Sequence, residues 1–85
     1  MNKVEIYTWA YCPFCIRAKA LLKQKNIKYI EYAIDGDQDA RIAMSQRAEG
    51  RTTMPQIFIN DKAIGGCSEL YALEESKKLD SLLME

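Results

Sequence analysis

The sequence contains no histidine. That removes the commonest general base, the commonest zinc ligand and the usual partner that activates a catalytic cysteine. Net charge is missing too, because twelve basic residues balance twelve acidic ones. The broad basic field that holds nucleic acid nonspecifically is therefore absent, and no nucleic-acid partner is expected. No apolar run approaches the ~18 residues that would span a bilayer, so no membrane partner is expected. The opening MNKVEIYTWAY lacks an apolar h-region and a small-residue cleavage site, so no secretory signal is expected. Cysteines are few and odd in number: Cys12, Cys15 and Cys67. That argues against a secreted disulfide framework and for a reducing, cytoplasmic location. At 85 residues the expectation is one domain over 1–85 with one compact core and no large internal substrate pocket.

The elements follow from periodicity. Val4, Ile6 and Thr8 alternate with Glu5 and Tyr7, which predicts a strand over 3–8. Cys12-Pro13 opens a helix, since proline is tolerated where the N–H has no intrahelical partner. Phe14, Ala18, Leu21 and Leu22 sit at helical spacing, and the polar run to Asn26 ends the helix, with Asn26 suited to a left-handed cap. A β-branched and aromatic stretch predicts a second strand over 27–34, broken by Asp35-Gly36. Asp37 or Asp39 can cap a second helix carrying Ala40, Ala43, Met44, Arg47 and Ala48. A third strand is predicted over 55–60, a turn at Asn60-Asp61, and a short fourth strand over 62–64. After Gly65-Gly66 comes a helix or helix pair with Leu70, Leu73, Leu79, Leu82 and Leu83 as its apolar positions. The order β-α-β-α-β-β-α implies parallel first strands with a right-handed crossover and an antiparallel closing hairpin. The fold class is α/β: a small mixed four-stranded sheet with helices on both faces.

The strongest chemical signal is Cys12-Pro13-Phe14-Cys15, placed where a strand turns into a helix. Free N–H groups and the positive dipole end there favour a thiolate. Cys12 is expected as the capping, solvent-facing sulfur. Cys15, three residues on, lies within bonding reach, so the pair can cycle between dithiol and disulfide. A closed zinc site wants four ligands, and only Cys67 remains to add to the pair, so no metal is expected.

Two further segments are weaker. Thr53-Met54-Pro55 reads either as an ordinary strand start or as a loop whose Met54 main chain offers an N–H and a C=O to an extended peptide. Gly65-Gly66-Cys67-Ser68-Glu69 reads either as a plain turn or as a helix start that receives an anion. Cys67 is either a small buried filler or a third redox thiol. Tyr7, Tyr29 and Phe58 are expected in or beside the core. Trp9, Tyr11 and Phe14 surround the paired cysteines as structural residues or as an exposed docking surface.

Taken together, VEIYT, CPFC, RAKALL, IDG, TMPQIFI and IGGCSELYALEE resemble the glutaredoxin family over nearly the whole chain, in particular its small dithiol bacterial type. The resemblance implies a thioredoxin-like fold and a glutathione-dependent thiol–disulfide oxidoreductase. It implies glutathione as cosubstrate, and as partners glutathionylated or disulfide-containing proteins, with the chain acting as a monomer. It further implies a cis Met54–Pro55 bond, Cys12 as nucleophile and Cys15 as resolving thiol. Thr53, Met54 and Pro55 would pair with the glutathione backbone, Gly66, Cys67, Ser68 and Glu69 would hold its γ-glutamyl end, and Phe14 would line the site. An alternative within the resemblance is a glutathione-ligated iron–sulfur cluster carrier, though that role goes chiefly with a CGFS motif rather than CPFC. Another is a glutaredoxin-like redoxin fed by thioredoxin reductase, which would lack the glutathione end-groups. The chain departs from the family pattern at several points. Phe14 stands where tyrosine is common, Met54 where valine is, and Ser68 where aspartate is frequent. Trp9 stands where a lysine is usual, which leaves Arg41 on the second helix as the candidate cation for the glycyl carboxylate.

Overall fold

The computed structural model describes residues 3–83. Strand β1 (Val4–Thr8) leads into helix α1 (Pro13–Gln24), followed by β2 (Ile30–Ala33) and α2 (Gln38–Arg47). The hairpin β3 (Gln56–Ile59) and β4 (Lys62–Gly65) comes next, then the helix pair α3 (Cys67–Glu75) and α4 (Lys78–Leu83). The sheet order is β2-β1-β3-β4, with β1 parallel to β2 and antiparallel to β3. This is the expected mixed four-stranded α/β sheet.

The alternation in β1 divides the core. Val4 and Ile6 join Ala18, Leu21, Leu22, Ile57, Ile59, Leu70 and Leu79 on the face covered by α1, α3 and α4. Phe58 joins Ile34, Met44 and Ala48 on the face covered by α2. Because helices cover both faces, every residue of β3 is buried, as a strand packed on two sides must be. Phe58 lies in the core, while Tyr7 and Tyr29 are half-buried.

Several boundaries shift from expectation. The second strand starts at Ile30 rather than at residue 27, because pairing with β1 begins at Glu5 and Ile30. The preceding residues complete the helix exit: Asn26 takes φ 58°, and the Ile27 N–H returns to the Leu22 carbonyl at 2.9 Å. The third strand spans Gln56–Ile59 rather than 55–60, because Asn60 and Asp61 both take positive φ, 51° and 68°. They form the two-residue loop that hairpins prefer. The fourth strand extends one residue further than expected, to Gly65. Phe14, expected in the apolar row of α1, is exposed, and Ala43 of α2 is exposed as well.

A charged cluster lies on the α2 face, where cover by a helix would favour an apolar side chain. Glu5 is buried, and Arg47 Nη2 donates to its Oε1 at 2.9 Å while the Tyr32 hydroxyl donates to its Oε2 at 2.8 Å. The Arg47 guanidinium also stacks over Phe58 at 4.1 Å. The Arg47 hydrogen bond holds the Glu5 carboxyl below the usual glutamate range, against the opposing effect of burial. A carboxyl depressed in the folded state stabilises above its unfolded pKa, and that stability is lost as pH falls through the folded value. Glu5→Gln should therefore destabilise the protein by about 2–3 kcal/mol at pH 7, since it removes a charged partner from a buried pair. Thermal melts from pH 7 to pH 3 should show wild type and variant converging at the acid end.

Candidate active site

The site begins with the cap of α1. Cys12 has extended backbone, φ −134° and ψ 99°, and its sulfur accepts the Cys15 N–H at 3.1 Å. Pro13 occupies the first helical position, as expected. One helical turn brings the Cα atoms of Cys12 and Cys15 to 5.1 Å, and the two sulfurs are joined as a disulfide. Cys12 is not fully solvent-facing as the sequence suggested: it is 7% exposed, and Cys15 is 1% exposed. The cap geometry pulls the Cys12 sulfur back over the first turn, which limits its access to solvent while supplying an N–H donor.

The loop before Cys12 is held by the turn after β2. The Asp35 carboxylate accepts the Ala10 N–H at 2.8 Å, and the Ile34 N–H donates to the Thr8 carbonyl at 3.0 Å. Asp37, rather than Asp39, caps α2 by accepting the Ala40 N–H at 3.0 Å. From α2, the Arg41 guanidinium lies over the Trp9 ring at 5.3 Å, and its Nη2 donates to the Thr52 carbonyl at 3.3 Å. The Arg41 Nε is buried and lacks a hydrogen-bond partner among the described residues. Sequence reasoning did not foresee the stacking on Trp9 or the role of Asp35, because both join residues more than twenty positions apart.

On the other side of the cysteines lies a groove of about 160 Å³, lined by Phe14, Thr53, Met54, Pro55, Gly66, Cys67, Ser68 and Glu69. These eight residues, assigned by the resemblance to glutathione binding, thus face one hollow, whereas Arg41, the candidate cation, does not line it. Met54–Pro55 is cis. The antiparallel ladder of β1 with β3 ends at the pair Tyr7 and Gln56, so the main chain of Met54 lies beyond the end of the sheet. The side-chain amide of Gln56, itself buried, donates to the Thr53 carbonyl at 2.8 Å and fixes the bend.

The paired glycines have distinct reasons. Gly65 takes φ 114°, and a Cβ there would meet Arg51 Nη1 at 2.7 Å and Glu69 Oε1 at 2.8 Å. Gly66 would place a Cβ 3.2 Å from the Pro55 carbonyl oxygen. Gly66 lets the start of α3 approach the Pro55 loop closely and lines the groove, while Gly65 leaves room for the side chains of Arg51 and Glu69. Glu69 closes the helix start by accepting the Gly66 N–H at 2.6 Å. Cys67 is a buried free thiol whose pKa is pushed up by that burial. Among the described residues no group of three or more His, Cys, Asp or Glu side chains is placed to hold a metal ion.

A family model described as Glutaredoxin matches residues 4–64, from β1 through the Thr53–Pro55 loop into β4. The chain belongs to the glutaredoxin family. It is 65% identical over 81 residues to a probable glutaredoxin of Synechocystis, covering 95% of this chain and 74% of the relative. It is 53% identical over 83 residues to glutaredoxin 3 of Escherichia coli K12, covering 98% of this chain and 99% of the relative. Among solved structures, a buckwheat glutaredoxin–glutathione complex superposes with TM-score 0.87 at 30% identity, covering 98% of this chain and 77% of that chain. These likenesses confirm the thioredoxin-like fold that the motifs implied, and they mark Cys12–Cys15 as a redox-active disulfide of the thiol–disulfide oxidoreductase kind.

The geometry ranks the three thiols of the reduced protein. Cys12 has a donor N–H at a helix end, Cys15 is nearly inaccessible, and Cys67 is raised by burial. Alkylation with iodoacetamide at about pH 6, followed by site assignment with mass spectrometry, should label Cys12 at least about tenfold faster than either other thiol. Faster labelling of Cys15 would overturn the ranking.

Proposed function

We propose that the protein is a glutathione-dependent thiol–disulfide oxidoreductase that reduces protein–glutathione mixed disulfides and protein disulfides. The observation that carries this reading is the convergence of a helix-capping cysteine pair with one groove whose walls come from α1, the Thr53–Pro55 loop and the start of α3. Glutathione has a peptide-like middle and a charged group at each end. The groove suits it: Met54 offers main chain beyond the end of the ladder, and α3 begins on the γ-glutamyl side. Glu69 supplies there the acidic group that Ser68 lacks. At the glycyl end, the stacked pair of Trp9 and Arg41 supplies the cation.

In the proposed cycle the Cys12 thiolate attacks the glutathionyl sulfur of a mixed disulfide. A bond forms between Cys12 and that sulfur, and the protein sulfur leaves as a thiolate that takes a proton from solvent. Cys12 is released when a second glutathione thiolate takes the glutathionyl sulfur, giving glutathione disulfide. With a protein disulfide, Cys12 forms the mixed disulfide and Cys15 resolves it. Cys15 gains from proximity, since its Cα is 5.1 Å from that of Cys12, and intramolecular attack carries a large effective concentration. The reaction belongs to a reducing compartment, and we place the protein in the cytoplasm, acting as a monomer.

The deciding experiment compares glutathione with thioredoxin reductase as electron source for the purified protein. Turnover of a small glutathione mixed disulfide with glutathione supports the reading, and turnover only with thioredoxin reductase overturns it. Within that assay, Cys12→Ser should lose all activity. Cys15→Ser should keep removal of glutathione, lose most reduction of protein disulfides, and accumulate an adduct about 305 Da heavier by intact mass. Arg41→Ala should raise the KM for glutathione about three- to tenfold and leave kcat within about twofold, the signature of lost ground-state binding.

A further inference from the structure

Four sulfurs gather at the site, and three of them are withheld from an oxidant. Cys12 and Cys15 are joined as a disulfide, while Cys67 and Met54 line the groove beside them. Cys67 is 6% exposed, and burial pushes its pKa up, so the reactive thiolate is scarce there. Met54 is half-buried on the groove wall. Its thioether has no proton to lose before it reacts with a two-electron oxidant, and the product is a sulfoxide. The other methionine among the described residues, Met44, is fully buried in the core under α2. Met54 is thus the most open sulfur among the described residues.

The same side chain also fastens the loop that carries it. Successive residues of that loop are held in different ways. Arg41 Nη2 donates to the Thr52 carbonyl at 3.3 Å, and the Gln56 amide donates to the Thr53 carbonyl at 2.8 Å and the Thr53 hydroxyl at 3.1 Å. Met54 is held by packing, because its side chain lies against the core cluster of Ile34, Met44, Ala48 and Phe58. One residue therefore joins the groove to the core beneath α2. A thioether suits that place, since an unbranched, apolar and polarisable chain fills irregular gaps. A sulfoxide does not. Its S=O group is polar, and setting it against an apolar cluster costs stability. The main chain that would pair with a bound peptide then loses its side-chain anchor.

We propose that Met54 is a site of reversible oxidation by hydroperoxides, and that its sulfoxide loosens the loop between Thr52 and Pro55 and weakens the groove. The sulfur lone pair attacks one oxygen of the peroxide, the O–O bond breaks and an S–O bond forms. Methionine loses two electrons, and the other peroxide oxygen takes the proton and leaves as water or an alcohol. A methionine sulfoxide reductase returns the thioether. The modification outlasts the disulfide, because a thiol reductant that reopens Cys12–Cys15 leaves the sulfoxide in place. Its effect on turnover rests on the reading that the groove binds glutathione, whereas the modification and the loosening of the loop do not.

The test treats the disulfide form of the full chain with hydrogen peroxide, removes the peroxide, and maps the added oxygen by peptide mass spectrometry. Met54 should gain one oxygen, about 16 Da, at least about tenfold faster than Met44. The melting temperature of the oxidised protein should fall by about 4 °C. After reduction of the disulfide with dithiothreitol, the KM for glutathione should stand about fivefold or more above that of untreated protein. Treatment with methionine sulfoxide reductases for both sulfoxide epimers should restore both quantities. Met54→Leu keeps Met1, Met44 and Met84. Compared with itself before and after peroxide, it should change in neither quantity. Oxidation of Met54 no faster than that of Met44, an unchanged melting temperature, an unchanged KM, or a loss that the reductases do not reverse would overturn the proposal. Untreated protein that fails to turn over with glutathione would instead overturn the glutathione reading, and the mapped oxidation and the melts then decide the switch by themselves.

Discussion

The site depends first on the antiparallel pairing of β1 with β3. Their register sets Tyr7 opposite Gln56, so the end of β1 and the start of β3 lie at the same edge of the sheet. From the first grows the loop that delivers Cys12, and into the second runs the cis Met54–Pro55 bend. Parallel pairing of the same strands would put the two at opposite ends, and no groove could form between them. The hairpin then reverses the chain at Asn60 and Asp61 and brings β4 back to that edge, where Gly65 and Gly66 hand over to α3. Three loops distant in sequence meet because two strands run in opposite directions.

Around that frame, three acidic side chains bond the backbone while others form ion pairs. Asp35 holds the Ala10 N–H, Asp37 the Ala40 N–H and Glu69 the Gly66 N–H. Each satisfies an amide at a loop or a helix start, where no intrahelical partner exists. These three bonds fix the redox loop, the helix that carries Arg41, and the helix that closes the groove. Positive charge is distributed differently. Arg47 is committed to Glu5 inside the fold and Lys25 to the joint of α1 with α3 and α4, whereas Arg41 lies over Trp9 beside the redox loop. With no histidine in the chain, helix-end donors and this arrangement of arginines carry the electrostatics of the site.

Much of this was legible beforehand, and the legible parts share a cause. The alternation of Val4 and Ile6, the proline after Cys12, the caps and the Asn-Asp turn are local signals, each resolved within a few residues of chain. They predicted the element order and located the helix that bears the cysteines. Boundaries failed where a partner decided them: Ile27 resembles a strand residue, yet the ladder with β1 begins only at Ile30. Exposure failed at both ends of the cysteine motif. Cys12 is drawn in over its own helix turn, and Phe14 is turned out toward the groove, because the cap geometry rather than the helical period orients the first turn.

The sequence by itself determined that a thiol pair sits at the mouth of a helix following a strand, that no histidine or dense metal-ligand cluster could serve it, and that no acidic residue falls between Glu5 and Glu31. Composition and short-range spacing suffice for such statements. Only the tertiary structure decided that Phe14, Thr53, Met54, Pro55, Gly66, Cys67 and Ser68 line one groove, that Arg41 lies across Trp9, and that Glu5 is buried against Arg47. Each of those facts joins residues from separate elements, and strand direction, register and the packing of helices on both sheet faces place them within a few ångströms of one another.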